Sequence, residues 1–286
     1  MDYISYYENV VKQRQSCRSF TDDKVDTAIL DEVKAYFKSC QPLVPSIETE
    51  LGFFDGAVAD RLGMSVGYNG FIIRAPQYLV VFSEDKEHYL ENTAFLAQAV
   101  TLKLTEKDIA ACWLTVNDAA FAKKALGKET DKEVAVVVGF GQRDEEEDVR
   151  LDIVSPSNVK MVKNEEQAAP KISLEDMLYY KTYGHKEAMN LYMELEAGLH
   201  SISTAQSFFN RQPYRVIVDD DIISLIGIPD EMTTESDKHL NYGIAMSNFS
   251  IVLGTVRAEA PVWNFEKPDR DLALPEDCVF VASCHI

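Results

Sequence analysis

The sequence predicts an α+β fold in which two similar halves follow each other, each a mixed sheet flanked by helices. Helix-like and strand-like segments alternate along the 286 residues, and the same order of segments occurs twice. An acidic, proline-containing stretch over 142–170 separates the copies. We place the first half at 1–150, a linker at 151–170 and the second half at 171–286.

The chain opens with two predicted helices. Ile4, Tyr7 and Val11 are spaced by three and four, which predicts an amphipathic helix over 1–13. A second helix is predicted from Asp26 to Ser39, where Ile29, Leu30, Val33 and Phe37 share one face. Two prolines then predict a loop over 41–54, and the glycine-rich stretch 52–73 leaves its assignment open.

The rest of the first half alternates strand and helix. We predict a strand at 77–83, a helix at 91–104 that is apolar nearly all round and therefore buried, a segment AACWL at 110–114, a polar helix, and a strand at 134–141. Gly139 and Gly141 imitate the start of a dinucleotide-binding motif. Asp144 replaces the third glycine and more acids follow, so we reject a dinucleotide site there.

The second half repeats this order. We predict helices at 171–180 and 187–199, a polar loop, a strand at 214–218, a charged loop, a helix and a final strand at 278–286. The late helix is marked by one apolar face, formed by Ala245, Phe249, Val252, Leu253 and Val256. Pro213 restricts the residue before it and predicts an extended Gln212.

Aligned on this order, the halves have lost complementary features. Ser46 matches Ser207, but Thr49 faces Asn210 and Leu51 faces Gln212, so the first copy lacks the amides of the polar loop. Conversely, the segment RQSCRSF at 14–20 has no counterpart before the second half. Trp113 and Trp263 occupy equivalent positions, and we expect both to lie in the core.

Composition excludes several classes of protein. The formal net charge of −19 argues against nucleic acid or an anionic membrane as partner. The five cysteines are odd in number and form no CxxC pair, which favours reduced thiols in the cytoplasm. No secretion signal or membrane-spanning run is predicted, and the five histidines show no metal-ligand spacing.

Two stretches and one cysteine are candidates for chemistry. Arg14 and Arg18, with Ser16 between them, can bind a phosphate through paired guanidinium hydrogen bonds. They can equally form a solvated helix end paired with Asp22 or Asp23. Ser207, Asn210 and Gln212 can hydrogen-bond a planar polar ligand, or can form a turn that satisfies its own backbone. Cys112 can be a nucleophile, but a small packed residue is favoured.

These two stretches and the segment around Cys112 resemble motifs of the nitroreductase family. RQSCRSF is similar to R-R-S-x-R-x-F, with Gln15 at a position usually held by Arg or His. The segment SFFNRQPY from Ser207 to Tyr214 is similar to S-x-x-N-x-Q-P-W, with Tyr214 in place of tryptophan. DIAACWLTV resembles G-L-G-x-C-W-x-G, with Asp108 replacing the first glycine.

This resemblance implies an FMN-dependent oxidoreductase that takes hydride from NADH or NADPH and reduces a nitroaromatic, quinone or similar small acceptor. Twelve residues are implied as cofactor-binding: Arg14, Gln15, Ser16 and Arg18 at the phosphate and ribityl chain, Cys112, Trp113 and Leu114 near the reactive nitrogen, Lys171 as a further basic residue, and Gln206, Ser207, Asn210 and Gln212 around the ring. No side chain is required as a nucleophile or general base.

Family members are usually homodimers with flavins at the interface, so the resemblance implies a fused pseudo-dimer that holds one FMN. Such a chain is a monomer that can dimerise further. A non-catalytic flavin-binding protein is the alternative, because motifs have decayed in both halves. An offshoot that uses reduced flavin for dehalogenation or ring oxidation is a third hypothesis.

Overall fold

The computed structural model describes residues 3–68, 70–147, 149–155, 157–163, 170–189 and 191–286. The chain divides into two compact units: the first unit is 13–168, and the second unit is 1–12 together with 169–286. The first helix, α1 (Tyr3–Tyr6), continues as a π-helical turn through Val11 and packs against later parts of the second unit. The predicted division assigned this helix to the first half instead.

The predicted apolar face of this first helix is only partly found. Val11 is buried, whereas Tyr7 is half-buried and the side chain of Ile4 lies outside the described residues. Tyr6 and Val10 complete the buried face. Residues four apart on a helix share a face, so the pair Tyr6 and Val10 anchors the helix to its unit.

The first unit contains a four-stranded antiparallel sheet with helices packed on it. Its elements are α2 (Thr27–Ser39), β1 (Thr49–Asp55), α3 (Ala59–Leu62), β2 (Gln77–Ser83), α4 (Tyr89–Thr105), β3 (Ala110–Leu114), α5 (Ala119–Leu126), β4 (Glu133–Gly141), β5 (Val149–Ser155) and β6 (Asn158–Lys163). The strand order is β1-β2-β4-β3, and β5 pairs with β6 as a separate hairpin.

Local sequence explains the two main helices of this unit. The Asp26 carboxylate caps α2 by accepting a hydrogen bond from the Ala28 amide at 2.7 Å. Val33 and Phe37 then bury the predicted face. Helix α4 is buried on nearly all sides, as its continuous apolar composition predicts.

Two predictions in this unit are wrong. The loop predicted after Pro45 contains β1, which begins four residues later and pairs with β2 along its whole length, with Leu51 opposite Val81. Both prolines lie before Thr49, the first residue of the strand, so they do not interrupt its pairing. The predicted linker contains the hairpin of β5 and β6, although residues 156 and 164–169 lie outside the described residues. Gly139 and Gly141 lie inside β4, in agreement with the rejected dinucleotide site.

The second unit contains a five-stranded mixed sheet. Its further elements are α6 (Leu174–Met177), β7 (Leu178–Tyr180), α7 (Met193–Ser203), β8 (Tyr214–Asp219), β9 (Ile222–Gly227), α8 (Glu235–Gly254), β10 (Trp263–Asn264) and β11 (Val279–His285). The order is β10-β11-β9-β8-β7, with β7 parallel to β8 and the other pairs antiparallel.

Four assignments in this unit need correction. The helix predicted over 171–180 is one turn, because Leu178 to Tyr180 pair with β8. The helix predicted from Glu187 begins at Met193. The segment predicted as a charged loop after β8 contains strand β9. The charged residues before this strand form the tight turn that joins β8 to β9. Of the predicted late helical face, Val256 lies beyond the end of α8 and is 40% exposed.

The two sheets confirm the predicted tandem duplication. In the first unit, β1, β2, a long buried helix, β3 and β4 give the order β1-β2-β4-β3. In the second unit, β8, β9, a long buried helix, β10 and β11 give the order β8-β9-β11-β10. Pairing directions are also the same in the two sets. The α+β class and the repeat are therefore properties of the fold.

The strand register corrects the predicted alignment between the halves. Thr49 pairs with the last residue of β2, and Tyr214 pairs with the last residue of β9, so these two positions correspond. Leu51, which was matched with Gln212, lies inside β1. The positions equivalent to Ser207, Asn210 and Gln212 are Pro42, Pro45 and Ile47. The first copy therefore still lacks the amide side chains.

Candidate functional site

The arginine segment, Arg14 to Arg18, runs beside the edge strand β3 of the first unit. Ser16 forms a parallel β-bridge with Ala111, and the Cys17 amide donates to the Ala111 carbonyl at 3.0 Å. This pairing places the segment next to Cys112. The structure thus brings together two of the three stretches that carried the sequence prediction.

Neither guanidinium of the arginine segment has an acidic partner among the described residues. Arg14 Nη1 and Arg18 Nε are buried nitrogen atoms without a hydrogen-bond partner, and Arg18 Nη1 donates weakly to the Ser16 carbonyl at 3.3 Å. Within the described part of the chain, neither arginine pairs with Asp22 or Asp23, so the interpretation as an ion-paired helix end is not supported.

Burial of the Arg14 guanidinium has an electrostatic cost. Burial lowers the pKa of Arg14 to about 10, while the Cys112 thiol raises this pKa and the neighbouring Arg18 lowers it. Donors without acceptors and two adjacent cations form a site that is incomplete without an anion. A phosphate group supplies both the charge and the acceptor oxygens that the site lacks.

The strand next to the arginine segment supplies packing and one further donor. Burial raises the pKa of the Cys112 thiol to about 11, so this thiol is neutral near pH 7 and is not an activated nucleophile. Leu114 is buried, whereas Gln15 is exposed. Trp113 is half-buried, not fully in the core as predicted, and its Nε1 finds no acceptor among the described residues.

The amide loop, Ser207 to Gln212, lies in the second unit directly before β8, as predicted. The backbone N–H of Gln212 donates to Ser207 Oγ at 2.9 Å, and the backbone N–H of Asn210 donates to the Ser207 carbonyl at 3.0 Å. Asn241 of α8 holds the start of the loop by accepting from the Phe208 amide at 3.0 Å. The loop is therefore held at both ends.

The long amide side chains of this loop bind the chain just before α6. Asn210 Nδ2 donates to the Pro170 carbonyl at 2.8 Å, and Gln212 Oε1 accepts from the Ile172 amide at 2.8 Å. Gln212 Nε2 also donates to the Ser203 carbonyl at 2.5 Å. These groups thus satisfy backbone of their own unit, which is the alternative that the sequence left open.

Lys171 joins this network, so the predicted basic residue and the amide loop do lie together. Its Nζ donates to Asn210 Oδ1 and to the Ala205 carbonyl at 3.0 Å. Gln206 follows Ala205 and is buried. The ammonium group is consequently held in a fixed position by neutral oxygen atoms.

The backbone of the loop is strained. Phe209, Asn210 and Gln212 have φ values of 49°, 59° and 49°. The predicted extended conformation of Gln212 is therefore wrong, because its side-chain and amide hydrogen bonds override the bias from Pro213. Left-handed backbone at Phe and Gln is unfavourable and persists only where the surroundings impose it.

The sequence analysis missed the residues that support this loop. Asn241 and its counterpart Asn92 each accept a hydrogen bond from a loop amide, Asn92 from Val44 at 2.9 Å. Both Nδ2 atoms are buried without a partner in the described structure. A single asparagine near the start of each long apolar helix was the available signal. Phe208 and Phe209 also stack, with ring centroids 3.9 Å apart.

Other kinds of site receive no support from the described residues. They contain no group of three or more His, Cys, Asp or Glu placed to hold a metal ion. None of the helices described for this chain has the length and apolar character needed to cross a membrane. All five cysteines are free thiols.

Comparisons with known proteins identify the family of this chain. A family model described as "Putative TM nitroreductase" matches residues 7–253. A crystal structure of a "putative nitroreductase" from Thermotoga maritima is similar over 100% of this chain and 94% of its own, with 14% identity and a TM-score of 0.58. No curated protein sequence matches significantly.

Two further structures match about half of the chain. One is an FMN-dependent nitroreductase from Clostridium difficile, with 19% identity over 49% of this chain and 90% of its own and a TM-score of 0.42. The other is an iodotyrosine deiodinase bound to FMN and 3-iodo-L-tyrosine, with 16% identity over 49% of this chain and 90% of its own and a TM-score of 0.41.

Proposed function

Because this chain belongs to the nitroreductase family, we propose that it is an FMN-dependent oxidoreductase. It takes electrons from NADH or NADPH and passes them to a small acceptor such as a nitroaromatic compound or a quinone. One observation carries the proposal: the arginine segment presents buried guanidinium donors that have no acceptor within the described chain.

The residues of the first unit fit the phosphate end of FMN. Arg14 Nη1 and Arg18 Nε are buried donors without acceptors among the described residues, and a phosphate monoester offers three acceptor oxygen atoms. Ser16 lies between them on the same segment and adds a hydroxyl group. Gln15 is exposed, so we assign it the weakest role among the four. Trp113 Nε1 is a further buried donor of the first unit without an acceptor among the described residues.

The residues of the second unit fit the polar edge of the flavin ring. We assign Ser207, Asn210, Gln212 and Gln206 to this edge, and Lys171 to the stabilisation of negative charge. Lys171 carries the positive charge that this role needs, whereas the Gln212 side chain is neutral. A fixed ammonium group stabilises charge that develops nearby without reorganising.

Bound FMN supplies the redox chemistry by accepting a hydride and transferring electrons to the acceptor. The chain binds and orients the cofactor and provides positive charge. The neutral thiol of Cys112 contributes packing and is not needed as a nucleophile. The five free thiols favour a reducing compartment such as the cytoplasm as its location.

Flavin titration of the purified protein tests this proposal. We expect yellow protein that binds one FMN per chain and is bleached anaerobically by NADH or NADPH. Arg14→Gln and Asn210→Ala should both weaken binding, while Arg61→Gln, a change at an exposed arginine of the first unit, should not. Protein that binds no added FMN, or that binds two per chain, would overturn it.

A second candidate function is flavin binding without turnover. It is favoured by the amide loop, whose side chains are hydrogen-bonded within their own unit. The discriminating measurement is reduction of the bound flavin under argon. Tight binding with no bleaching by either nicotinamide would select this second function, and multiple turnovers with an added quinone would exclude it.

A further inference from the structure

A cavity lies just beyond the end of α8 in the second unit. Its volume is about 370 Å³, and it is lined by Arg257, Glu259, Ala260, Pro261, Val262 and His285. This volume is at the lower end of the range of small-molecule sites, which begins at roughly 300 Å³. None of these residues belongs to the proposed flavin site.

Arg257 is the distinctive group in this cavity. Its Nη2 donates to the Tyr192 hydroxyl at 2.6 Å, and it forms no ion pair with any described residue. By contrast, Arg74, Arg211 and Arg270 each pair with an aspartate. In a chain of net charge −19, a half-buried guanidinium with only a neutral partner is available for an anion.

A cavity of similar size in the first unit provides a contrast. It has a volume of about 350 Å³ and includes Lys24 and Arg74 in its wall. Lys24 pairs with Asp55, and Arg74 pairs with Asp60 at 2.6 Å, so both cations are already neutralised. The Arg257 cavity therefore differs from this first-unit cavity in having an arginine without a direct ion pair among the described residues, although Glu259 lies in the same wall.

Apolar side chains are exposed around the Arg257 cavity. Val262 in its wall is 65% exposed, and Tyr192, the partner of Arg257, is 45% exposed. An exposed valine in the wall and a tyrosine bonded to the cation favour a ligand that has an apolar body and an acidic group.

The internal repeat shows which part of the first unit corresponds to the wall of the Arg257 cavity. With Trp263 equivalent to Trp113, Ala260 to Val262 correspond to Ala110 to Cys112, the stretch that the arginine segment covers in the first unit. In the second unit β10 is the sheet edge, and Pro261 has no amide hydrogen to pair with an added strand. The same place in the repeat is thus open and carries its own arginine.

We propose that this cavity binds a small aromatic monocarboxylate. The carboxylate is held by the Arg257 guanidinium, His285 is a further lining residue, and the ring lies against Val262 and beside Tyr192, the hydrogen-bond partner of Arg257. Glu259 in the same wall repels a second negative charge, so a monoanion binds better than a phosphate dianion. This site is independent of the proposed flavin chemistry.

A fluorine NMR titration of the FMN-saturated full-length protein tests the site, with 4-fluorobenzoate as the probe. We expect a saturable shift whose Kd rises about tenfold or more in Arg257→Gln, in line with the loss of a charge-assisted hydrogen bond. Glu259→Gln should lower the Kd about threefold, because a repelling charge is removed. Arg61→Gln is the matched control and should leave the Kd unchanged.

Opposite signs for the two cavity variants make the test decisive. Glu259 is exposed, so its replacement leaves the fold intact even where Arg257→Gln does not. 4-Fluorophenyl phosphate should bind more weakly than 4-fluorobenzoate to the unmodified protein. The proposal is overturned by a Kd that does not respond to Arg257→Gln, by weaker binding in Glu259→Gln, or by a probe that is lost in Arg14→Gln alone.

Discussion

The arginine segment and the amide loop use their polar groups in opposite ways. In the arginine segment, buried guanidinium nitrogen atoms lack acceptors and two cations lie close together. In the amide loop, Asn210 and Gln212 are hydrogen-bonded to backbone of their own unit. One stretch is incomplete on its own, and the other is largely complete.

This difference separates two ways of building a binding site. Unsatisfied buried donors destabilise the free protein and gain a partner only when a ligand arrives. An internally bonded loop instead fixes strained backbone in one conformation before a ligand arrives, which lowers the ordering cost of binding. Substitutions in the loop should therefore affect stability first, and substitutions in the arginine segment should affect binding first.

Gln212→Ala should give the largest effect, on stability. Gln212 is only 3% exposed, and its side chain bonds the Ile172 backbone amide and the Ser203 carbonyl. The variant leaves both of these backbone groups without their partner. Two buried backbone groups left unpaired cost about 4 kcal/mol of unfolding free energy. Urea denaturation of the apoprotein measures this, with the exposed Gln15→Ala as control. A loss below about 1 kcal/mol would show that the loop is not held by this residue.

Asp237→Asn tests the effect of buried charge in the second unit, where a carboxylate at the start of α8 is almost fully buried. Asp237 is 5% exposed, and burial raises its pKa to about 6, while the Thr234 hydroxyl lowers it. Because the folded pKa exceeds the unfolded value, the stabilising contribution is complete below about pH 4 and is lost as pH rises through 6. At pH 7, the free energy of unfolding of the variant should exceed that of the wild type by up to about 3 kcal/mol.

Denaturation at pH 4.5, 5.5 and 7 gives this difference directly. Asp176→Asn is the matched control, since Asp176 makes the same pair of hydrogen bonds with Ser173 at the start of α6 but is exposed. We expect no pH-dependent gain for the control. A gain of the same size in both variants would assign the effect to helix capping instead of burial.

Sequence patterns were sufficient wherever one residue periodicity covered a whole element. The boundaries of β2 and the extent of α4 follow from continuous apolar runs with clear ends. The predictions missed β1 because Pro42 and Pro45 lie so close before it, and β9 because charged residues precede its short apolar run. Leu178 to Tyr180 continue a helical pattern, and only the parallel pairing with β8 makes them a strand.

The candidate site shows a similar limit. Motif resemblance was enough to select the arginine segment and the amide loop, because their residue types and order are distinctive. It could not show that Gln212 adopts a left-handed backbone or binds Ile172, since that contact joins positions forty residues apart. Hydrogen-bond satisfaction is a property of the fold, so orphaned and satisfied donors look the same in a sequence.

Arg14→Gln should separate binding from stability in the arginine segment. Loss of a charge-assisted hydrogen bond should raise the Kd for FMN about 10- to 100-fold. The apoprotein should become about 1 kcal/mol more stable, because an uncompensated buried cation is removed. FMN titration and urea denaturation of the same preparation measure the two effects, with Arg61→Gln as control. A destabilised apoprotein would mean that Arg14 is a structural residue.

The two equivalent tryptophans provide the smallest and most closely matched comparison. Trp263 Nε1 donates to Ser250 Oγ at 3.0 Å, whereas Trp113 Nε1 is buried without an acceptor in the described structure. Replacement by Phe removes similar volume from both positions, but only Trp263→Phe also breaks a hydrogen bond. We therefore expect Trp263→Phe to cost about 1 kcal/mol more unfolding free energy than Trp113→Phe.

Ligand binding should reverse the order of these two variants. If the Trp113 indole donates to a ligand held by the arginine segment, Trp113→Phe should raise the Kd for FMN several-fold, while Trp263→Phe leaves it unchanged. Urea denaturation without FMN and flavin titration at low temperature give the two orders separately. The same order in both experiments would contradict the idea that the first unit keeps this donor for a ligand and the second unit uses its counterpart for the core.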